Sequence, residues 1–160
     1  MNSIISECLT DSILESIGHC LDVVWLHFSK GQKSYCMHCQ CLVRLFCKNE
    51  MIASSNDIFE APTMYDQSQP DWAWYEARDN TLFDETLKNG VITKLPIQIK
   101  SAIIHNKCDV VLKTVNGITI ELSVDSTRNT EFWRLFLKNS PDELTYICYG
   151  NSEYVLVEKN

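Results

Sequence analysis

Asn116–Gly117, set between CDVVLKTV and ITIELSVD, constrains this chain more than any other feature. An Asn-Gly pair tolerates positive φ, and the flanking segments are rich in β-branched residues in near alternation. Such a sequence turns back on itself as a β-hairpin. Other segments with strand-like composition surround it: 20–28, 34–47, 50–54, 144–150 and 153–159. EFWRLFLK (131–138) pairs with 144–150 as a strand, with a helical turn as its alternative. TLFDETLKNG reads as a short helix with Thr81 near its N-cap and Gly90 as a stop. Residues 2–17 carry Ile4, Ile5, Cys8, Leu9, Ile13 and Ile17 at three- and four-residue spacing, so they read as an amphipathic helix stopped by Gly18. The expectation is one α+β domain over residues 1–160: a mostly antiparallel β-sheet, an N-terminal helix and one further short helix.

Residues 35–47, YCMHCQCLVRLFC, concentrate four cysteines and a histidine. On one continuous strand their side chains alternate between faces. Tyr35, Met37, Cys39, Cys41, Val43 and Leu45 then form an apolar face, and Cys36, His38, Gln40, Leu42, Arg44 and Phe46 the opposite one. Cys36 and Cys39 diverge, whereas a structural zinc needs four convergent ligands. CMHCQC also lacks the Gly or Pro of a metal knuckle, and no second C-x-x-C completes a set. No metal and no cofactor are expected. Cys8, Cys20, Cys41, Cys108 and Cys148 sit among apolar neighbours and are expected as reduced, structural thiols. His38, Gln40 and Arg44 read as a structural polar network on one stripe, with a small-ligand or acid/base site as the alternative, helped by Asp57 or Glu131. None of the common phosphate-loop, zinc-protease or serine-hydrolase motifs is present, so enzymatic activity is not expected.

The formal net charge of −7 is unevenly spread. Residues 50–85 hold nine acids and one base, while the rest of the chain is close to neutral. The stretch from 55 to 80 reads as a long loop in which Phe59, Tyr65, Trp72, Trp74 and Tyr75 are interleaved with carboxylates. Long loops of this kind commonly serve binding. Aromatic rings offer buried area and carboxylates offer steering toward a basic partner. Asp66, Asp71, Trp72, Trp74, Tyr75, Glu76 and Asp79 are therefore the candidate partner-binding residues. The alternative is a solvated acidic loop whose tryptophans pack into the core. Acidity disfavours nucleic acid. No apolar run approaches the length of a membrane span, and the N-terminus lacks a basic leader, so a cytoplasmic monomer or weak dimer is expected.

VVWLHFSK followed by MHCQCLVRLF resembles a group of small bacterial proteins whose strand pair ends in LHxQCxxR. The matching positions are Leu26, Phe28, His38, Gln40, Cys41 and Arg44. NTLFDE resembles that group's N-FD element at Asn80, Phe83 and Asp84, with one extra residue between. LSVDSTRNTEFWRLF resembles its late strand pattern at Asp125, Ser126, Glu131, Trp133, Arg134 and Phe136. The chain departs from the group at Leu42–Val43, where Pro-Trp is usual, and in having Cys36 and Cys39. The resemblance implies a fold rather than an activity. In size, acidity and single-domain build the chain is also similar to immunity proteins of contact-dependent growth inhibition systems. That likeness implies a non-catalytic antidote that occludes a cognate toxin domain, a basic nuclease being the type expected.

Overall fold

The computed structural model describes residues 2–66, 68, 80–106, 108–126, 129–138, 144–150 and 153–158. A short helix, α1 (Asn2–Leu9), precedes five strands: β1 (Ile13–Cys20), β2 (Val23–Lys30), β3 (Lys33–Cys39), β4 (Leu42–Cys47) and β5 (Glu50–Ser54). A 3-10 turn (Ser55–Phe59) follows, then α2 (Leu82–Gly90) and a second 3-10 turn (Ile92–Lys94). The remaining strands are β6 (Ile97–His105), β7 (Asp109–Thr114), β8 (Ile118–Ser123), β9 (Glu131–Lys138), β10 (Leu144–Tyr149) and β11 (Glu153–Glu158). All described strand pairs are antiparallel, in the order β11-β10-β9-β3-β2-β1-β6-β7-β8-β4-β5. The α+β expectation holds.

The expected hairpin forms between β7 and β8, with Lys113 opposite Thr119. Its loop is one residue longer than a tight Asn-Gly turn, and Gly117 supplies the positive φ of +85°. Thr114 locks it: its hydroxyl donates to the Ile118 carbonyl (2.9 Å) and accepts from the Ile118 amide (2.9 Å).

The helix expected over 2–17 ends at Leu9. Asp11 takes a positive φ of 63°, and the Ser12 hydroxyl donates back to the Leu9 carbonyl. Lys30 Nζ, arriving from the end of β2, donates to the carbonyls of Glu7 and Thr10 and so caps the exposed C-terminal end. Ile13 and Ile17 belong to a strand instead, and Gly18 lies in its middle.

Residues 34–47 are likewise not one strand. The chain breaks at Gln40, whose amide donates to the Phe132 carbonyl (2.7 Å). β3 pairs with β2 and β9, while β4 pairs with β8 and β5 at the other end of the sheet order. The apolar alternation survives the break: Tyr35, Met37, Cys39, Cys41, Val43 and Leu45 are all buried. Residues of both ends of the sheet join one continuous core, which includes Leu26, Phe28, Trp133 and Leu135 with Val43, Leu45, Leu112 and Ile120. Ile5 and Leu9 of α1 and Phe83 and Leu87 of α2 complete it.

The cysteines divide. Cys36, Cys39 and Cys41 are buried thiols, whereas Cys20 is exposed. Cys108 and Cys148 correct the expectation of reduced thiols: they form a disulfide, with Cα atoms 6.2 Å apart, between the start of β7 and β10. The Trp133 indole donates to the Cys108 carbonyl (2.7 Å) beside it.

Candidate partner-binding site

Both ends of the acidic segment are fixed by the same local device. After β5, Ser54 accepts from the Asn56 amide and Asp57 Oδ2 accepts from the Ser54 amide (2.9 Å), closing a capping box on the first 3-10 turn. At α2, Thr81 Oγ1 accepts from the Asp84 amide (3.3 Å) and Asp84 Oδ2 accepts from the Thr81 amide (2.9 Å). Each box satisfies helix-start amides that would otherwise lack partners and places a carboxylate at the favourable end of the helix dipole. Both boxes carry the Ser/Thr-x-x-Asp pattern, in SSND and TLFD.

Cross-ties then join the two ends. The Leu82 amide donates to the Glu60 carbonyl (2.9 Å). Glu85 accepts from the Thr63 amide (2.7 Å) and from the Thr63 hydroxyl. These bonds hold the Glu85 carboxyl below its ordinary pKa. Asp57, Asp84 and Glu85, three of the nine acids of 50–85, therefore have local structural work.

Asp84 has a further partner. His19, near the end of β1, approaches Asp84 Oδ2 through Nε2 (3.0 Å) and the Leu21 carbonyl through Nδ1 (2.8 Å). The edge of its ring packs against the Phe83 ring, centroids 5.8 Å apart. Burial pushes the Asp84 carboxyl upward, but the hydrogen bonds from Thr81 and His19 outweigh it and its pKa is lowered. All three side-chain bonds converge on Oδ2.

A groove of about 840 Å³ lies between this helix start, residues 62–66 and the end of β1. Ile17, Gly18, Trp25, Met64, Leu87 and Ile92 give it apolar walls; Asp66, Asp84, Glu85 and Lys88 give it charge. The size falls within the range of ligand-binding clefts. Trp25 lies across Gly18 from the neighbouring strand: a Cβ at Gly18 would stand 2.5 Å from Trp25 Cζ2. The glycine is thus needed for the indole to cover β1, and has nothing to do with stopping a helix.

Of the candidate partner-binding residues, Asp66 is exposed at the groove and accepts from the Ser68 amide (2.9 Å). Asp71, Trp72, Trp74, Tyr75, Glu76 and Asp79 lie outside the described residues.

The polar network expected from His38, Gln40 and Arg44 is not brought together, because the break at Gln40 sends His38 and Arg44 to distant strands. Arg44 pairs with Glu121 (2.9 Å) and contacts Ser123 across β8. His38 instead sits between Trp25 of β2 and Arg134 of β9, with its ring against the edge of Phe136 at 5.0 Å. Burial, reinforced by Arg134, lowers its pKa. Arg134 is itself held by Glu131 through two short bonds. Burial also pushes the Cys36 thiol up to about 11 and Cys41 to about 12, as befits neutral core groups.

No helix among the described residues is long and apolar enough to cross a membrane. In comparison with known proteins, no family model, no curated protein and no solved structure matches this chain.

Proposed function

We propose that this chain is an immunity protein: a non-catalytic antidote that binds a cognate bacterial toxin domain and occludes it. The observation that carries the reading is the acidic, aromatic sequence between two anchored ends. Residues 54–63 and 81–85 are tied to one another by backbone and side-chain bonds, so the intervening sequence leaves and re-enters a defined base. Its acids and rings suit a basic surface such as a nuclease cleft, with charge accelerating encounter and rings supplying contact area. The occlusion needs no bond to be made or broken. Asp57, Asp84 and Glu85 belong to the base, and Asp66, Asp71, Glu76 and Asp79 are assigned to the partner.

Growth rescue tests the reading. The chain is co-expressed with the toxin domain encoded immediately upstream of its gene, with induced toxin alone as control. Rescue with a stable complex on sizing is expected; equal killing in both cultures counts against it. Replacing Asp71, Glu76 and Asp79 together by lysine is expected to slow association at least about tenfold at low salt, with the deficit shrinking as salt screens it. Unchanged association at low salt would place the interface elsewhere.

A further inference from the structure

Cys148 lies opposite Trp133 of β9 and Tyr154 of β11, so its backbone is already paired on both edges and only its side chain reaches beyond the ladder. That side chain bonds to Cys108 in the β6–β7 turn, with β9, β3, β2, β1 and β6 standing between β10 and β7 in the strand order. The two cysteines are 40 residues apart in sequence, and β8 and β9 lie within the loop they close. The bond is thus a fastening across the core rather than a part of either ladder. Two further features bear on its chemistry. Each sulfur lies 3.7 Å from the Tyr149 carbonyl. A disulfide has no hydrogen to give that carbonyl, whereas a thiol has one. A cleft of about 630 Å³ between the β6–β7 turn, the end of β8 and Gly150 has Cys108 in its wall. A reductant therefore has a route to one sulfur of a pair that is otherwise buried.

We propose that Cys108–Cys148 is a reversible redox clasp: a dithiol opens it through the cleft, and opening loosens the β6–β7 turn from β10 while the rest of the sheet stays folded. The inference is independent of the toxin-binding reading. The incoming thiolate bonds to Cys108 Sγ as the sulfur–sulfur bond breaks, and Cys148 leaves as a thiolate that takes up a proton. The second thiol of the reductant, as its thiolate, then displaces Cys108, which is protonated in turn. The dithiol loses two electrons and two protons and becomes a disulfide; the chain gains both and holds two thiols. The Tyr149 carbonyl is in reach of either new thiol, so the opened state has an acceptor in place. The neighbouring core thiols stay out of the exchange. Burial raises the pKa of Cys36, Cys39 and Cys41, and the thiolate is the attacking species. Trp133 supplies a reporter, since its indole N–H donates to the Cys108 carbonyl from within β9.

Peptide mapping and hydrogen exchange on the full chain test this. After incubation with glutathione disulfide, the map is expected to show the Cys108–Cys148 cross-link, and dithiothreitol without denaturant is expected to convert it to two thiols. On reduction, exchange of the Trp133 indole N–H and of the Gly150 amide, which donates to the Thr130 carbonyl, is expected to speed up at least tenfold. The Leu26 amide, in the middle of β2, is expected to keep its rate. Reoxidation is expected to restore the slow rates, and the double variant Cys108→Ala, Cys148→Ala to match the reduced chain. Absence of the cross-link overturns the clasp. So does exchange that reduction leaves unchanged, which would make the bond a passive staple. Reduction that proceeds only at the rate of global unfolding, or that speeds Leu26 as much as Gly150, overturns it as well, because opening would then be unfolding.

Discussion

Asp57 and Asp84 occupy the same position of the same four-residue motif, yet they are differently committed. Asp57 closes a box on a single 3-10 turn, and its side-chain bond stays within Ser54–Asp57. Asp84 closes a box on a nine-residue α-helix and also receives His19 from a strand 65 residues earlier. The first device shapes a local turn; the second fastens a helix to the sheet. Sequence motif sets the local geometry in both, and the tertiary partner sets how much depends on it.

The largest expected effect is at Asp84. Asp84→Ala removes the reciprocal bond of the box to the Thr81 amide, worth about 1 kcal/mol, and leaves His19 Nε2 without its partner, a loss of about 1–3 kcal/mol. A drop of about 2–4 kcal/mol in unfolding free energy by urea titration is expected. Asp57→Ala is expected to cost about 1 kcal/mol, the reciprocal bond of the box alone. Equal losses at the two sites would break the comparison. Acid sharpens it. The folded-state pKa of Asp84 is lowered, so its contribution is present above the unfolded value of about 3.9 and is lost as pH falls through the folded value. The deficit of Asp84→Ala against the parent chain is therefore expected to narrow below about pH 4 in the same titration. The smallest effect belongs to Thr63→Ala, which removes one exposed hydroxyl bond to Glu85. The melting midpoint is expected to stay within error, while exchange at the Thr63 amide speeds up.

Much of the fold was legible where a local signal and the tertiary need coincide. The β7–β8 hairpin followed from Asn116–Gly117, the buried set Tyr35 to Leu45 from alternation, and α2 from Thr81 and Gly90. It failed where one pattern serves two structures. Ile13 and Ile17 fit a helical stripe as well as they fit β1, and nothing in their spacing announces the turn at Asp11. Apolar alternation runs unbroken through Gln40 because both β3 and β4 face one core, so periodicity carries no mark of the change in partner strands. That missed break is also why His38 was grouped with Arg44 rather than with Trp25 and Arg134. At the candidate site the Ser/Thr-x-x-Asp motifs mark Asp57 and Asp84 as capping acids, but nothing local marks His19 and Thr63 as the distant partners of Asp84 and Glu85.

The passage of the chain at Gln40 bears on how the protein is made. β3 takes its outer neighbour from β9 and β4 from β8, both synthesised long after them. At ~5–20 residues per second on the ribosome, β3 waits seconds with one edge bare, and its thiols and aromatic neighbours are exposed to other nascent chains. Pairings this distant in sequence form slowly and favour misassembly while they wait. Fragments that end before residue 131 never acquire β9, so they are expected to aggregate more than the full chain.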